Sequence, residues 1–212
     1  MANHGRHRAA RWVLVALLAA GGLAACGDDA PKTTSAANGQ PVAAPADQSS
    51  TTQASVAPCT FSGGPDPAKG SADAPTRLLT DVRVGVHECY ERVTFELKPQ
   101  QGEADGLVSW KAAFEPGPIT EDGSGRTVTV KGAAFLVLTM SAAGADLSQE
   151  AAPATYTGPA SLEAAGATRI QQVRRTGDFE GVLTWVIGLD RQRPFRVTTQ
   201  NGPARVIVDV GD

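Results

Sequence analysis

Thr176–Val210 reads TGDFEGVLTWVIGLDRQRPFRVTTQNGPARVIVDV, and its alternation decides the fold. In Phe179–Leu189 one face carries Phe179, Gly181, Leu183, Trp185, Ile187 and Leu189. The other carries Glu180, Val182, Thr184, Val186 and Gly188. One face is apolar throughout and the other is half apolar, the pattern of a central strand covered on both sides. After a turn at Asp190–Arg193 come two more runs, marked by Phe195, Val197 and Thr199 and then by Val206, Val208 and Val210. Asn201-Gly202 between them is a hairpin signal. Pro203 lacks the N–H that closes a two-residue turn, so a loop of about four residues is expected. That register sets Thr199 opposite Ala204, Val197 opposite Val206 and Phe195 opposite Val208. Phe179, Leu183, Trp185, Ile187, Phe195, Val197, Val206 and Val208 are the expected core. Arg196, Thr198, Arg205 and Ile207 fall on the outer face.

Further runs of the same kind precede this stretch. Val82, Val84 and Val86 alternate with Asp81, Arg83 and Gly85, and Val93, Phe95 and Leu97 alternate with Arg92, Thr94 and Glu96. Leu107–Glu115, Thr127–Lys131, Ala134–Met140 and Arg169–Arg175 are the other strand candidates, with a turn at Asp122-Gly123-Ser124-Gly125. Asp146–Ala152 offers a helical turn at most, and Leu162–Ala167 is short and interrupted by Gly166. Short β-branched runs punctuated by Gly, Pro and Asp predict an all-β sandwich of roughly eight to nine short strands. It is expected to occupy residues 76–212, enough for one core.

The N-terminal end is a different kind of sequence. Arg6, Arg8 and Arg11 precede an apolar run, Trp12–Ala20, too short for a stable membrane span. Leu23-Ala24-Ala25-Cys26 follows and resembles a bacterial lipobox, which implies cleavage after residue 25 and acylation of Cys26. Two or three acyl chains, at about 0.8 kcal/mol per buried methylene, anchor a protein to the lipid bilayer. The expected location is the extracytoplasmic face of the cell membrane; the alternative is an ordinary secreted protein. Residues 26–75 are rich in Ala, Ser, Thr and Pro and poor in large apolar side chains, so a disordered tether is expected. Its reach as a flexible chain is roughly 35–40 Å. Cys59 and Cys89 remain as a pair in an oxidising compartment, either bridged or free. A bridge contributes about 3–4 kcal/mol in the chain-entropy model.

Cleavage also shifts the charge. Lys+Arg falls from 19 to 16 while Asp+Glu stays at 22, a balance of −6. That excess argues against nucleic acid as a partner, because a phosphate-binding surface needs basic residues. Six Phe, two Tyr and three Trp are few for a carbohydrate cleft built on stacking.

Several stretches, HECYERVTFEL (87–97), EDGSGRTVTVKGAAFLVL (121–138), YTGP (156–159) and GDFEGVLTWVIGLDRQRPFRV (177–197), together resemble the AMIN-like domain of actinobacterial lipoproteins. PARVIVDV (203–210) is similar to the last strand of the AMIN domain proper. The resemblance spans about Thr76–Val210. It implies a β-sandwich and a binding module of the cell envelope, since several AMIN domains localise their proteins by binding peptidoglycan. It supplies no catalytic residues.

Catalytic chemistry is not otherwise signalled, and no enzyme is expected. His87 is the only histidine beyond the signal segment, sits near a turn beside Cys89, and has no Gly-x-Ser-x-Gly elbow to serve. No cofactor is implied, nor any metal site, since ligand sets with zinc or calcium-hand spacing are not evident. The Asp122 loop reads as a turn. Arg191, Arg193, Arg196, Thr198 and Arg205 are the candidate ligand-binding residues, because guanidinium forks suit carboxylates and phosphates. The alternative is that the arginines pair internally with Asp178, Glu180, Asp190 or Asp209. The expected function is a non-catalytic, lipid-anchored module that binds peptidoglycan or another wall polymer. The alternative is a scaffold or assembly factor docking onto an envelope or membrane protein. A carrier of lipid is a more remote reading.

Overall fold

The computed structural model describes residues 59–72 and 75–212. The signal segment, Cys26 and the tether as far as residue 58 lie outside the described residues. Eleven strands follow in order: β1 (Ala68–Gly70), β2 (Arg77–Val86), β3 (Glu91–Lys98), β4 (Trp110–Glu115), β5 (Ala134–Met140), β6 (Ala142–Ala143), β7 (Ser161–Leu162), β8 (Ile170–Phe179), β9 (Val182–Leu189), β10 (Phe195–Gln200) and β11 (Ala204–Val210). They form a six-stranded sheet, β1-β4-β5-β9-β8-β7, and a five-stranded sheet, β10-β11-β3-β2-β6. Every pairing is antiparallel except the short parallel contact of β2 with β6. The all-β sandwich is as expected, with more strands than eight to nine because β1, β6 and β7 are only two or three residues long.

Alternation explains which side chains meet between the sheets. Leu136, Leu138 and Met140 of β5 and Leu183, Trp185, Ile187 and Leu189 of β9 point inward from one sheet. Val93, Phe95 and Leu97 of β3 and Val206, Val208 and Val210 of β11 point inward from the other, and all belong to one buried cluster. Trp185 is the centre of it. Its ring meets Phe95 edge-on at 5.6 Å and Tyr156 at 5.8 Å between centroids. The Tyr156 hydroxyl donates to the Pro159 carbonyl at 2.8 Å, which folds the YTGP stretch back on itself.

Three expectations are corrected by the closing segment and the loop before β5. Phe179–Leu189 is two strands, because Glu180 and Gly181, at φ 51° and 74°, form a two-residue turn with Phe179 paired to Val182. Positive φ at both turn positions suits the right-handed twist of a hairpin. Phe179 therefore leaves the expected core and sits at the hairpin tip, 65% exposed. The β10–β11 hairpin has its four-residue loop, with Gln200 opposite Arg205, but Thr199 faces Val206, Val197 faces Val208 and Phe195 faces Val210. This offset preserves parity, so the same residues share a face. Thr127–Lys131 forms no strand beyond a single bridge from Thr127 to Thr120. Its Val130 turns down, with Ile119, onto Val186 on the outer face of the six-stranded sheet.

The last part of the stretch expected to be a disordered tether, 26–75, is paired with the domain. Gly64 exchanges backbone hydrogen bonds with Phe195 at 2.9 and 3.2 Å, and Ala68–Gly70 pairs with Trp110–Ala112. These residues are held because the edges of β10 and β4 need partners for their backbone groups. Cys59 and Cys89 are bridged, with Cα atoms 5.2 Å apart, at the turn between β2 and β3.

One carboxylate joins the two sheets. Glu91, at the start of β3, is fully buried. It accepts from the backbone N–H groups of Thr168 (2.7 Å), Arg169 (3.1 Å) and Ile170 (2.7 Å), where β8 begins in the opposite sheet. Burial pushes its pKa up, but the three backbone donors outweigh this and hold it below the usual glutamate range.

Candidate functional site

The outer face of the five-stranded sheet is where the register gathers two of the expected arginines, Arg196 and Arg205, together with Thr198. Three rows cross it: Arg196, Asp209 and Arg92; Thr198, Ile207, Thr94 and Arg83; Gln200, Arg205, Glu96 and Asp81. The guanidiniums do not stand free. Arg92 grips Asp209 with two bonds of 2.6 and 3.0 Å, and Arg196 reaches the same carboxylate at 2.8 Å. Arg205 and Arg83 share Glu96 at 3.2 and 3.3 Å, and Arg83 also holds Asp81 at 2.7 Å. Asp209 is buried beneath its partners. Burial pushes its pKa up, yet the bonds from Arg92 and Arg196 win and keep it below the ordinary aspartate value.

The turn after β9 is occupied in the same way. Arg191 pairs with Asp190 at 3.0 Å. Arg193, 7% exposed, binds Asp190 at 2.7 Å and Asp212 at 2.5 Å. Arg169 adds a bond to Asp212, also at 2.5 Å, and the two arginines bring the Asp212 pKa down to about 2. Thr198 alone of the candidate set is exposed and uncharged. Arg191, Arg193, Arg196 and Arg205 are thus each committed to a carboxylate, three of them to the internal partners Asp190 and Asp209 and Arg205 to Glu96. Aromatic rings complete this face: Arg196 lies over Phe61 at 5.4 Å, and Arg92 over Tyr90 at 5.0 Å. His87 stacks on Tyr90 at 4.5 Å, a turn residue as expected. Asp122 lies in a tight turn, where its carbonyl accepts from the Ser124 N–H at 2.9 Å. Among the described residues, no three His, Cys, Asp or Glu side chains converge.

The opposite face of the sandwich is open. Two adjoining hollows of about 400 and 650 Å³ lie over β1, β4 and β5 and share Lys69, Lys111 and Thr139. Lys69 and Lys111 are direct cross-strand partners, and Lys111 in turn faces Thr139. Ala113 and Val137, the next pair along the strands, form an apolar floor. Glu115 closes one end; Trp110 and Val182 stand at the other. Loop 116–133 covers the neighbouring part of the sheet through Ile119 and Val130, and so bounds the groove. Gly70 is required opposite Trp110, since a Cβ there would strike the indole. Among the described residues, neither Lys69, Lys111 nor Glu115 has an oppositely charged partner within 4.0 Å. This differs from the arginine face in kind: one surface is neutralised from within, the other carries unmatched charge.

Sequence reasoning did not find this groove. The available signal was the alternation of Lys111, Ala113 and Glu115 along a strand, but Lys69 lies in a stretch without strand character.

A family model described as the AMIN-like domain matches residues 77–212. The stretches from His87 to Val210 that carry the resemblance fall within it, whereas Lys69 and β1 precede it. No curated protein and no solved structure matches the chain.

Proposed function

The chain belongs to the AMIN-like domain family, and on that premise we propose that it is a non-catalytic binding module of the cell envelope. Its ligand in this reading is peptidoglycan or another wall polymer. Acylated Cys26 ties it to the outer leaflet of the cell membrane. The observation that carries the reading is the open groove over β1, β4 and β5, of a size suited to part of a ligand chain and lined by charge without internal partners. Co-sedimentation of the full chain with insoluble peptidoglycan tests it. Binding that weakens with salt is expected, because exposed charges are screened within about 10 Å at 0.1 M. A chain that stays in the supernatant at low salt sinks the wall reading. The anchor has its own test: palmitate labelling in cells, which Cys26→Ser is expected to abolish.

A second reading, a scaffold docking onto an envelope protein, is favoured by the β8–β9 hairpin tip. Phe179 and Val182 are 65% and 45% exposed there, and Leu147, 59% exposed, lines a hollow with the turn residues Glu180 and Gly181. A photo-crosslinker at position 179 is expected to capture a discrete protein in cells if this surface docks. Recovery of wall material alone removes this alternative.

A further inference from the structure

We infer that the groove over β1, β4 and β5 binds a short peptide through its free carboxylate, with Lys69 and Lys111 as the carboxylate clamp and Glu115 as the seat for an amine farther along the same peptide. This rests on the binding-module reading and names the ligand class. Opposed residues of adjacent antiparallel strands have Cα atoms about 4.5–5.5 Å apart, so the two flexible lysine side chains can reach one anion. A carboxylate offers one oxygen to each.

The charge pattern along the groove selects the rest of the ligand. Glu115 lies four residues beyond Lys111 on the same face of β4, about 13 Å at the usual strand rise. An extended peptide of three to four residues spans roughly that distance. Between the two charged ends the floor is Ala113 and Val137, which accommodate small alkyl side chains and give hydroxyl-rich chains no partner. A phosphate polymer fits worse, because its second anion meets Glu115. The site includes a strand, β1, that precedes the residues matched by the family model.

The test is titration of the isotope-labelled full chain, followed by NMR, with Lys-Ala-Ala-Ala as the free acid, its C-terminal amide, its Nα,Nε-diacetyl form and inorganic phosphate. The free acid is expected to shift Lys69, Lys111 and Val137, and the amide to bind about tenfold more weakly through loss of the charged contacts. The double change Lys69→Gln with Lys111→Gln is expected to lower affinity for the free acid about tenfold. Glu115→Gln is expected to weaken the free acid but not the diacetyl peptide. All three side chains are exposed, so unchanged thermal unfolding confirms that the variants fold. Equal binding of acid and amide, equal competition by phosphate, or shifts confined to the arginine face overturns the assignment. Peptidoglycan sedimentation separates the two claims. Wall binding that survives the double lysine change overturns the groove and leaves the module, whereas peptide binding without wall binding leaves the groove and removes the wall.

Discussion

Glu91→Ala is the most informative single change, because one carboxylate carries the link between the start of β3 and the start of β8. It leaves three backbone N–H groups without an acceptor. An orphaned buried donor costs about 1–3 kcal/mol. Thr168 is exposed and water replaces its partner, so two donors bear most of the loss. Arg169 also loses a partner at 3.6 Å but keeps Asp212. The expected destabilisation is about 3–5 kcal/mol, a large part of the roughly 5–15 kcal/mol that holds a typical domain. Urea unfolding of the oxidised protein, read by tryptophan fluorescence, measures it. The midpoint falls and the slope stays fixed if only stability has changed. The pH dependence supplies a second readout. The folded-state pKa of Glu91 is lowered, so its stabilisation is fully present above the unfolded value, about 4.3, and is lost as pH falls through the folded one. Other carboxylates titrate in the same range, so the quantity to compare is the difference between wild type and variant, which shrinks as pH falls. A loss below about 1 kcal/mol at neutral pH, or a difference that does not change with pH, refutes the role given to Glu91.

Phe179→Ala is expected to alter stability by no more than about 0.5 kcal/mol, while Trp185→Ala loses about 3–5 kcal/mol. Parallel denaturant melts compare them, and a large loss at Phe179 contradicts its place at the hairpin tip. Asp209→Ala leaves Arg92 and Arg196 facing each other unpaired and is expected to lower stability by about 3 kcal/mol, more than Asp209→Asn. Carboxyl NMR is expected to place the Asp212 side-chain titration at about 2. Its lowered pKa makes its stabilisation present above the unfolded value and lost as pH falls through about 2. Because the group is largely exposed, that contribution is on the order of 1 kcal/mol or less.

Local patterning carried much of the fold. Ala134–Met140 reads as a strand from its own residues, and Val93, Phe95 and Leu97 declare their inward face by alternation alone. Where two local signals compete, the reading failed. Asp178-Phe179-Glu180-Gly181-Val182 keeps the two-residue period through a turn, and Glu-Gly is a weaker turn dipeptide than Asn-Gly, so a hairpin looked like one strand. Thr127–Lys131 alternates like a strand, but its apolar side is used to cover Val186. The arginines were legible in part, since Asp190 and Asp209 were among the internal partners expected as the alternative. Arg191, Arg193 and Arg196 meet acids close by in the chain, whereas Arg205 meets Glu96 across 109 positions and Arg92, outside the expected set, meets Asp209 across 117. The groove needed β1, which becomes a strand only because β4 offers it an edge.

The bridge between Cys59 and Cys89 also determines how the domain bears a mechanical load. Tension arriving along the chain from before Cys59 passes through the sulfurs to Cys89 and on into β3, in the middle of the five-stranded sheet. The intervening residues, β1 and β2 among them, lie off that force path. Without the bridge, the pull falls first on the single Gly64–Phe195 pairing and then on β1, three residues long and paired on one side only, which peels one bond at a time. With it, Lys69 stays in register opposite Lys111 while the load is carried elsewhere.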